Sequence, residues 1–455
     1  MLTYRTEKAK EKTVILLFVL SVLFKLACDI GYWELLAWDT TTYRADFSLV
    51  KYCLGCLWCV VLFFGIEHTD RKASSFLLLL FYLLQIIPLT TIYSLGNDSS
   101  IYYHSICLCV LFCELLVRLV APKAEMTRNR ILSAVMVAFL GLIAAYTIYR
   151  MVLFYGRPEM TALNIYKVYD MRRDAPNLGK LVNYLLAWTM PVILPFALAK
   201  ALTIRKWLAA AAICAVIFLV YLYTGQKTFL FSVPMVVACT LWAKRENCYL
   251  ELFSCLCIGF AVLVVLSCME SNRDQGIFNR IYSLIGRRCM ILTANNKFKY
   301  YDYFTKHPKM GIYGIFPRWL IEVKSYYENI PYSYEISKVY FGKPEMNSNT
   351  GFLAEGYMRF GHLGTLAALT LFAVILKLVD RFAERTSYQL AVGLFAFRVF
   401  GLADAHLIDS LFFGEWMLLI LLLLFYGETG LKHTERKLSP LVWSMDQNGK
   451  IQRTD

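Results

Sequence analysis

Charged residues are scarce in this sequence. Asp, Glu, Lys and Arg make up 18% of the 455 residues, whereas a soluble domain usually contains about a quarter. Hydrophobic residues make up 58% and come in long runs without charge. This composition excludes an ordinary soluble domain and predicts a membrane protein.

The signatures of nucleotide, metal and serine chemistry are also missing. The sequence has no phosphate-binding glycine loop, no zinc signature and no nucleophile elbow around a serine. We therefore expect no cofactor and no metal, and nothing indicates nucleic-acid binding. A cleavable signal peptide is not expected either, because no small-residue cleavage site ends the first apolar run.

Apolar runs long enough to cross a bilayer recur along the chain. A spanning helix needs about 20 mostly apolar residues. The candidate runs are 13–36, 47–66, 74–94, 101–121, 131–149, 181–200, 207–223, 228–243, 249–269, 362–380, 389–405 and 407–426. The sequence thus predicts an all-α polytopic membrane protein with about twelve spans, which places both termini on one side.

The distribution of Lys and Arg predicts the orientation of these spans. Basic residues collect in the short loops on one side, which the positive-inside rule assigns to the cytoplasm together with both termini. The domains are then an N-terminal bundle (1–270, with an outer loop at 150–180), a large outer loop (271–361) between the ninth and tenth spans, the last spans (362–426) and a cytoplasmic tail (427–455).

Both of the larger outer loops are basic, against this rule. The large loop holds thirteen Lys and Arg residues against seven Asp and Glu. Long loops cross the membrane regardless of charge, but the positive-inside rule does apply to a loop as short as 150–180, whose basic residues therefore conflict with it. Its arginines suggest a use for positive charge, either at a site for an anionic substrate or opposite anionic lipid headgroups. The aromatic and apolar content of the large loop predicts an ordered structure.

Arginines at regular spacing open the large loop. Arg273, Arg280 and Arg287 recur every seven residues and would share one helix face, with Arg288 beside them. Arginine suits bidentate contacts with phosphate. An interfacial helix whose arginines reach lipid headgroups would show the same pattern. In a tight turn at 223–228, Lys227 could likewise pair with a pyrophosphate or simply reach the headgroups.

Two later segments carry further candidates. His307 precedes Pro308 and should end a helix, where it could act as a general base on a hydroxyl or be an ordinary surface residue. Asn349 or Thr350 is expected to cap the helix that leads into span 362–380.

Within that helix, Glu355 and Arg359 are four residues apart and should face each other, as a simple ion pair or as part of a site. Three glycines, at positions 356, 361 and 364, would let backbones approach closely.

The last spans contain ionisable residues, which are costly in a membrane and usually face the protein interior. They are Arg398, Asp404, His406, Asp409 and Glu415. Arg398 is expected to pair with one of the carboxylates. A structural ion pair and a substrate-facing cluster both remain open at this stage.

Three of these segments, taken in order and with their predicted sidedness, resemble a known family. They are Gly225-Gln226-Lys227-Thr228, Tyr303-Phe304-x-x-His307-Pro308, and Asn349-Thr350-Gly351-Phe352-x-x-Glu355-Gly356-x-x-x-Phe360-Gly361-x-x-Gly364. Together with the predicted spans and one dominant late outer loop, they resemble the Wzy-type O-antigen and oligosaccharide repeat-unit polymerases. Lys227 departs from the arginine that is frequent in that turn.

This resemblance implies a GT-C-like glycosyltransferase of the bacterial inner membrane, with its active site facing the periplasm. Such an enzyme moves a growing glycan from undecaprenyl pyrophosphate onto a new lipid-linked repeat unit, without metal or nucleotide. Membrane lipid surrounds it, and a chain-length regulator protein would be a further partner.

The resemblance, together with the charge that builds on a departing pyrophosphate, also gives the expected site residues. His307 is the first choice as base and Glu355 the second. Further substrate contacts are expected from Arg318, Asn349 and Arg359. The pyrophosphate would be bound by Lys227, Arg273, Arg280, Arg287 and Arg288, with Arg157 or Arg173 from the earlier loop.

Two other functions fit the same pattern. An O-antigen ligase, which moves finished glycan onto a lipid A-core acceptor, shares the basic late loop and a histidine. A transporter or flippase of the same lipid-linked glycan is the non-enzymatic alternative. It is less favoured, because the sequence shows no convincing internal repeat and the large loop exceeds what connecting two spans requires.

Overall fold

The computed structural model describes residues 2–69, 71–119, 130–156, 179–245, 247–270, 276–316, 321–328, 330–412, 414–427, 443–445 and 451–453. The side chains of residues 2–10, 130, 227 and 229 are outside this description. The described chain is almost wholly helical, which confirms the predicted all-α class. Its strands are a short antiparallel pair, β1 (Trp443–Met445) and β2 (Ile451–Arg453).

Long apolar helices follow one another with mostly short connections. In chain order they are α1 (Leu2–Ile30), α2 (Leu49–Gly65), α3 (Ala73–Phe81), α4 (Ile87–Leu95), α5 (Ser100–Leu119), α6 (Arg130–Tyr155), α7 (Lys180–Trp188), α8 (Leu194–Thr203), α9 (Trp207–Thr224), α10 (Lys227–Trp242), α11 (Cys248–Met269), α12 (Ile277–Tyr282), α13 (Leu292–Lys306), α14 (Tyr332–Phe341), α15 (Phe352–Arg385), α16 (Tyr388–Gly401) and α17 (Glu415–Phe425). Segments of π-helix continue α1 (Gly31–Leu36), α3 (Tyr82–Ile86), α7 (Thr189–Ile193) and α12 (Ser283–Ile291).

Eight helical stretches of the described chain are long and apolar enough to cross a membrane. They are Glu11–Leu36, Ala73–Leu95, Ser100–Leu119, Ile131–Tyr155, Lys180–Thr203, Trp207–Thr224, Cys248–Met269 and Phe352–Arg385. Shorter apolar helices lie at Leu49–Gly65, Leu230–Trp242, Tyr388–Gly401 and Glu415–Phe425. A polytopic membrane protein is therefore confirmed by helix length and composition, while the number of spans and their sidedness stay predictions.

The last predicted run, 407–426, is wrong in its N-terminal bound. α16 ends at Gly401 and α17 begins at Glu415, and the described residues between them, 402–412 and 414, form a non-helical connection. We call it the 402–414 connection. Its leucine at position 407 is as apolar as a spanning residue and is fully buried. However, the backbone N–H groups around it bond to a side chain of α15 instead of to a helical turn, as described below.

α3 and α4 form the centre of the bundle. In the most apolar 18 residues of the Ala73–Leu95 stretch, 100% of the residues are buried, whereas in the most apolar 18 residues of α11 only 28% are buried. α3 packs against α15 and α16, and α4 packs against α1 and α2. A helix that is apolar on every side suits an interior position, so the central pair is enclosed by protein and α11 presents its exposed side to lipid.

The large loop is ordered over its described residues, as its composition predicts. α12, its π-helical continuation and α13 run without a break from Ile277 to Lys306. α13 then ends immediately before His307, which confirms the boundary expected from Pro308. α14 and the first two turns of α15 complete the described helices of this loop.

α15 turns sharply near its start. Phe360 has φ −134° and ψ 20°, and Gly361 has φ 66° and ψ −148°, so the helix is broken there into two parts. Gly361 adopts a backbone conformation that residues with a Cβ rarely take. Across the break, the backbones of Gly356 and Gly364 touch, and a Cβ on Gly356 would lie 2.6 Å from the Gly364 carbonyl oxygen. The close approach expected from these glycines is confirmed.

The expected cap on α15 is wrong. The residue before the first turn is Gly351, in an extended conformation, and no side chain accepts a cap bond there. The backbone at Gly351 lies directly against the carbonyl groups of Leu402 and Ala403, where a Cβ would overlap both oxygen atoms. This contact fixes the path of the chain, so neither Asn349 nor Thr350 occupies the cap position.

We predict that Gly364→Ala destabilises the protein by about 1–3 kcal/mol, because its Cβ would overlap the Gly356 carbonyl oxygen. The measurement is the thermal unfolding midpoint of the purified protein in detergent. Gly141→Ala is the matched control, since a Cβ at Gly141 in α6 meets nothing within 4 Å. That substitution should be neutral or slightly stabilising. Equal midpoints for the two variants would contradict the contact.

Candidate functional site

A cavity of about 640 Å³ opens where the large loop meets the 402–414 connection. Part of its wall comes from α7, through Tyr184 and Ala187. Four further aromatic side chains line it: Tyr300, Phe316, Tyr332 and Phe412. Its polar wall is formed by Ser333, Asn347, Asn349, Thr350, Asp404, His406, Asp409, Ser410 and Glu415. The cavity therefore combines a membrane helix, aromatic faces and ionisable groups.

A buried carboxylate from α15 fixes one side of the cavity. Glu355 is fully buried and accepts hydrogen bonds from the backbone N–H groups of Leu407 (2.7 Å), Ile408 (3.0 Å) and Asp409 (2.8 Å). A buried charge without such partners would be very costly. Here the three N–H groups satisfy the carboxylate and hold the 402–414 connection in its turn.

Arg359 joins the same network from one turn further along α15. It is 1% exposed and forms ion pairs with Asp409 and Glu355, the latter with 3.6 Å between Nε and Oε1. It also donates to the carbonyl oxygens of Gly311 (2.9 Å) and Tyr313 (2.7 Å). The predicted pairing of Glu355 with Arg359 is confirmed, and it ties the large loop to the 402–414 connection.

His406 and Asp409 form a second pair at the cavity wall. The His406 Nδ1–H donates to Asp409 Oδ2 at 2.8 Å, and the His406 side chain is 21% exposed. Burial lowers the pKa of His406, but the hydrogen bond to Asp409 and the charges of Glu355 and Asp409 outweigh it and raise the pKa above its usual value. Burial raises the pKa of Asp409, yet His406 and Arg359 hold it below its usual value.

Glu355, His406 and Asp409 also have the residue types of a metal site. One potential ligand atom from each lies within 4.8 Å of the others. The carboxylate oxygens are already engaged, because Glu355 accepts three backbone hydrogen bonds and Asp409 pairs with both Arg359 and His406. A cation would have to displace the guanidinium of Arg359, so the arrangement fits an ion-pair network better than a metal centre.

The last-span cluster resolves into two parts. Arg398 Nη1 pairs with Glu415 Oε2 at 2.7 Å, which confirms that Arg398 binds a carboxylate. Asp404, His406, Asp409 and Glu415 all line the cavity. Arg398 thus takes part in a structural ion pair, and the other four residues face the cavity, while a contact between them and a substrate stays a prediction.

Consecutive polar residues of α13 bind three separate segments, two of which contribute residues to the cavity wall. Asn295 donates to the Thr42 carbonyl at 2.8 Å, Asn296 to the Asn349 carbonyl at 2.7 Å and Lys297 to the Ala403 carbonyl at 3.1 Å. This role was not predicted from the sequence. One feature of the sequence could have indicated it: the polar run Asn-Asn-Lys directly precedes Phe298 and Tyr300 in the same helix. Polar residues that are buried together with aromatic residues are unusual and need hydrogen-bond partners.

Lys297 is the least expected member of this set. It is 1% exposed, and burial lowers its pKa to about 7 against the opposing effect of Asp404. Burial likewise raises the pKa of Asp404, opposed by Lys297 and Arg288. The charge of Asp404, on the cavity wall, therefore partly offsets the cost of burying the Lys297 ammonium.

The residues predicted from sequence take different places. Glu355 and Arg359 belong to the network, and Asn349 lines the cavity. Arg288 is exposed, and its charge lowers the pKa of Asp404 on the cavity wall. Arg280 is exposed on α12, away from these groups.

The remaining predicted residues do not line the cavity or lie outside the described residues. Arg287 is half-buried and donates from Nε to Ser283 Oγ at 2.9 Å. His307 stacks on Tyr303 with 4.0 Å between ring centroids, and its Nδ1–H donates to the Tyr303 carbonyl at 2.8 Å. Outside the described residues are Arg157, Arg173, Arg273, Arg318 and the side chain of Lys227.

Comparisons with protein-family models, with curated proteins and with solved structures give no match for this chain.

We predict that Glu355→Gln lowers the free energy of unfolding by about 3–5 kcal/mol, because it removes one charge of a buried, hydrogen-bonded pair. Thermal unfolding in detergent measures the loss. The matched control is Glu335→Gln, whose exposed pair with Lys338 spans 3.8 Å and should be worth at most about 1 kcal/mol. If Glu355→Gln were as stable as the wild type but inactive, the carboxylate would have a chemical role.

The pKa shift of His406 predicts a pH-dependent contribution to stability. A histidine whose pKa is raised on folding stabilises the protein fully below its unfolded pKa of about 6.5 and loses that effect as the pH rises through the folded pKa. We therefore expect His406→Gln to lower the unfolding temperature more at about pH 6 than at about pH 9. The same loss at both pH values would contradict the pairing of a charged His406 with Asp409.

Proposed function

We propose that this protein is a glycosyltransferase of the bacterial inner membrane that polymerises undecaprenyl-pyrophosphate-linked oligosaccharides. The observation that carries the proposal is the composition of the cavity wall, where a membrane helix meets a histidine–aspartate pair and several aromatic rings. A lipid-linked sugar substrate needs these features together, because its tail stays in the bilayer while its sugars react in water.

Access from the membrane is supported by the position of α7. Tyr184 and Ala187 belong to the Lys180–Thr203 stretch, which is long and apolar enough to cross a membrane. Tyr184 is 50% exposed while it lines the cavity. A polyprenyl chain lying along this helix could therefore present its pyrophosphate to the cavity without leaving the lipid.

Sugar binding is supported by the size and lining of the cavity. Its volume of about 640 Å³ lies within the range of about 300–1,000 Å³ that is common for ligand pockets. The aromatic rings of Tyr332 and Phe412 offer faces for stacking against sugar rings. Amide groups of Asn347 and Asn349 offer hydrogen bonds to hydroxyl groups.

The proposed reaction transfers one glycosyl group. An acceptor hydroxyl oxygen bonds to the anomeric carbon of the donor, the bond from that carbon to the pyrophosphate oxygen breaks, and the hydroxyl proton passes to a base. The negative charge that builds on the departing pyrophosphate requires a cation nearby. Arg288 is the best-placed described candidate, since its charge acts on the cavity wall at Asp404. Lys227, Arg157, Arg173 and Arg273 remain candidates from the sequence.

The geometry favours His406 over His307 as the base. His406 lines the cavity, and Asp409 orients its ring through Nδ1, which leaves Nε2 as the nitrogen that can take a proton. A nearby carboxylate also makes the imidazole more basic. His307 donates to a backbone carbonyl and stacks on Tyr303, outside the cavity lining. The oxygen atoms of Glu355 are occupied by backbone donors.

The finer topology belongs to the same proposal. We take the eight long stretches together with the four shorter apolar helices as spans of a GT-C-like bundle. Both termini would be cytoplasmic, which puts the cavity, the large loop and the 402–414 connection on the periplasmic side.

We predict that His406→Ala lowers polymer formation by about 10²–10⁴-fold, as expected for loss of a general base. The assay uses purified protein in vesicles with lipid-linked repeat units, and the products are resolved as a glycan ladder. His307→Ala is the comparison, because it replaces a histidine outside the cavity lining. Thermal unfolding of each variant checks that it folds. If the folded His406→Ala variant kept full turnover and His307→Ala lost it, the general base would be His307 instead of His406.

A deletion strain separates the proposal from its alternatives. Loss of a polymerase leaves a single repeat unit on the lipid A-core, whereas loss of a ligase leaves none. Transport of lipid-linked glycan across vesicles without elongation would instead support a flippase.

A further inference from the structure

The first helix of the large loop exposes an apolar face. On α12 and its continuation, Ile277 is 70% exposed, Phe278 37%, Ile281 38% and Ile285 44%. The opposite face is buried, with Tyr282 2% exposed and packed on Gly31 of the α1 continuation. The helix thus has one side in the protein and one apolar side that no described residue covers.

The start of this helix lies at the end of a membrane-spanning helix. Glu270, the residue after α11, accepts hydrogen bonds from the backbone N–H groups of Phe278 (3.1 Å) and Asn279 (2.8 Å). Asn279 Nδ2 in turn donates to the Ser267 carbonyl within α11 at 3.1 Å. These bonds hold the first turn of α12 against the C-terminal end of α11.

α11 also exposes a stripe of apolar residues. Ile258 (48% exposed), Val262 (50%), Val265 (54%) and Met269 (75%) recur at helical spacing and point to one side of α11. The stripe reaches Met269, the last residue of α11, so exposed apolar residues occur both at the end of this helix and on the helix that follows it.

Arg280 supplies the charge that such a position favours. It is exposed and lies between Ile277 and Ile281 along the helix. Among the described residues, the acid that most closely precedes α12 in the sequence is Glu270, which already accepts hydrogen bonds from two backbone N–H groups. Apolar residues on one face with arginine at its edge are typical of helices that lie in the plane of a membrane.

We propose that residues 277–288 form an interfacial helix that lies in the headgroup region of the bilayer, with Arg280 binding the phosphate of anionic phospholipids. This assigns Arg280 to ordinary membrane lipid and not to the pyrophosphate of a substrate. The proposal does not depend on the proposed function, because it concerns a surface outside the cavity and needs no turnover.

Photocrosslinking of the full chain tests the proposal. A benzophenone amino acid replaces Ile281, and the protein is reconstituted in phosphatidylcholine vesicles that contain a minority of phosphatidylglycerol. After illumination, mass spectrometry identifies the lipid attached at this position. We expect phospholipid adducts that are enriched about fivefold in phosphatidylglycerol over the bulk membrane, the factor that one arginine near an anionic surface supplies.

Matched variants separate the two parts of the proposal. Arg280→Gln should return the adducts to the bulk lipid ratio, and Arg280→Lys should keep the enrichment. The same probe at Leu142, 70% exposed in α6, gives the bulk ratio expected for an uncharged lipid-facing position. Absence of lipid adducts at position 281 would overturn the interfacial helix. Enrichment that persists in Arg280→Gln would overturn the role of Arg280.

Discussion

The buried carboxylate of Glu355 is the constraint on which the candidate site depends. It accepts three consecutive backbone N–H groups of the 402–414 connection and pairs with Arg359, whose guanidinium reaches two carbonyl groups of the large loop. Three segments far apart in sequence therefore meet at one charge pair. A buried charge is stable only in the few arrangements that supply its hydrogen-bond and ion-pair partners. This network therefore defines the positions of His406 and Asp409 far more closely than apolar packing would.

α13 provides the second support of the cavity. Its neighbouring side chains donate to carbonyl groups in the α1–α2 connection, in the segment before α15 and in the 402–414 connection. Carbonyl groups of irregular segments that are buried need such donors, since no helix or sheet satisfies them. The loops around the cavity are thus held by a rigid helix, which is how a site built from loops can keep a fixed geometry.

The sequence predicted what depends on nearby residues. Apolar runs gave the helices, because hydropathy over about 20 residues decides whether a segment suits a membrane. The pairing of Glu355 with Arg359 and the close approach of Gly356 and Gly364 followed from helical spacing. The predicted capping residue of α15 was wrong because the start of this helix is determined by a contact with a distant segment, that of Gly351 with the carbonyl groups of Leu402 and Ala403.

Contacts between distant segments left no comparable mark in the sequence. Nothing in the spacing of Glu355 and Leu407 indicates that they meet, and Leu407 looks like a spanning residue until its N–H is seen to bond to a carboxylate. From the sequence, His406 and Asp409 could be identified as ionisable residues that are costly within a span, but whether they face a cavity could not be predicted. Asn295, Asn296 and Lys297 passed unnoticed, because their partners are backbone groups that no sequence pattern displays.

The network around Glu355 also sets the order in which the molecule can be completed. Leu407 is 52 residues further along the chain than Glu355, so the ribosome delivers the acceptor well before its donors. Until α16 and α17 have been made, Glu355 and Arg359 lack part of their hydrogen-bond and ion-pair partners, and their charges are better left in water than buried. The cavity consequently closes late in biosynthesis, and a chain cut short before Leu407 would display that unmatched charge to the proteases that monitor membrane proteins.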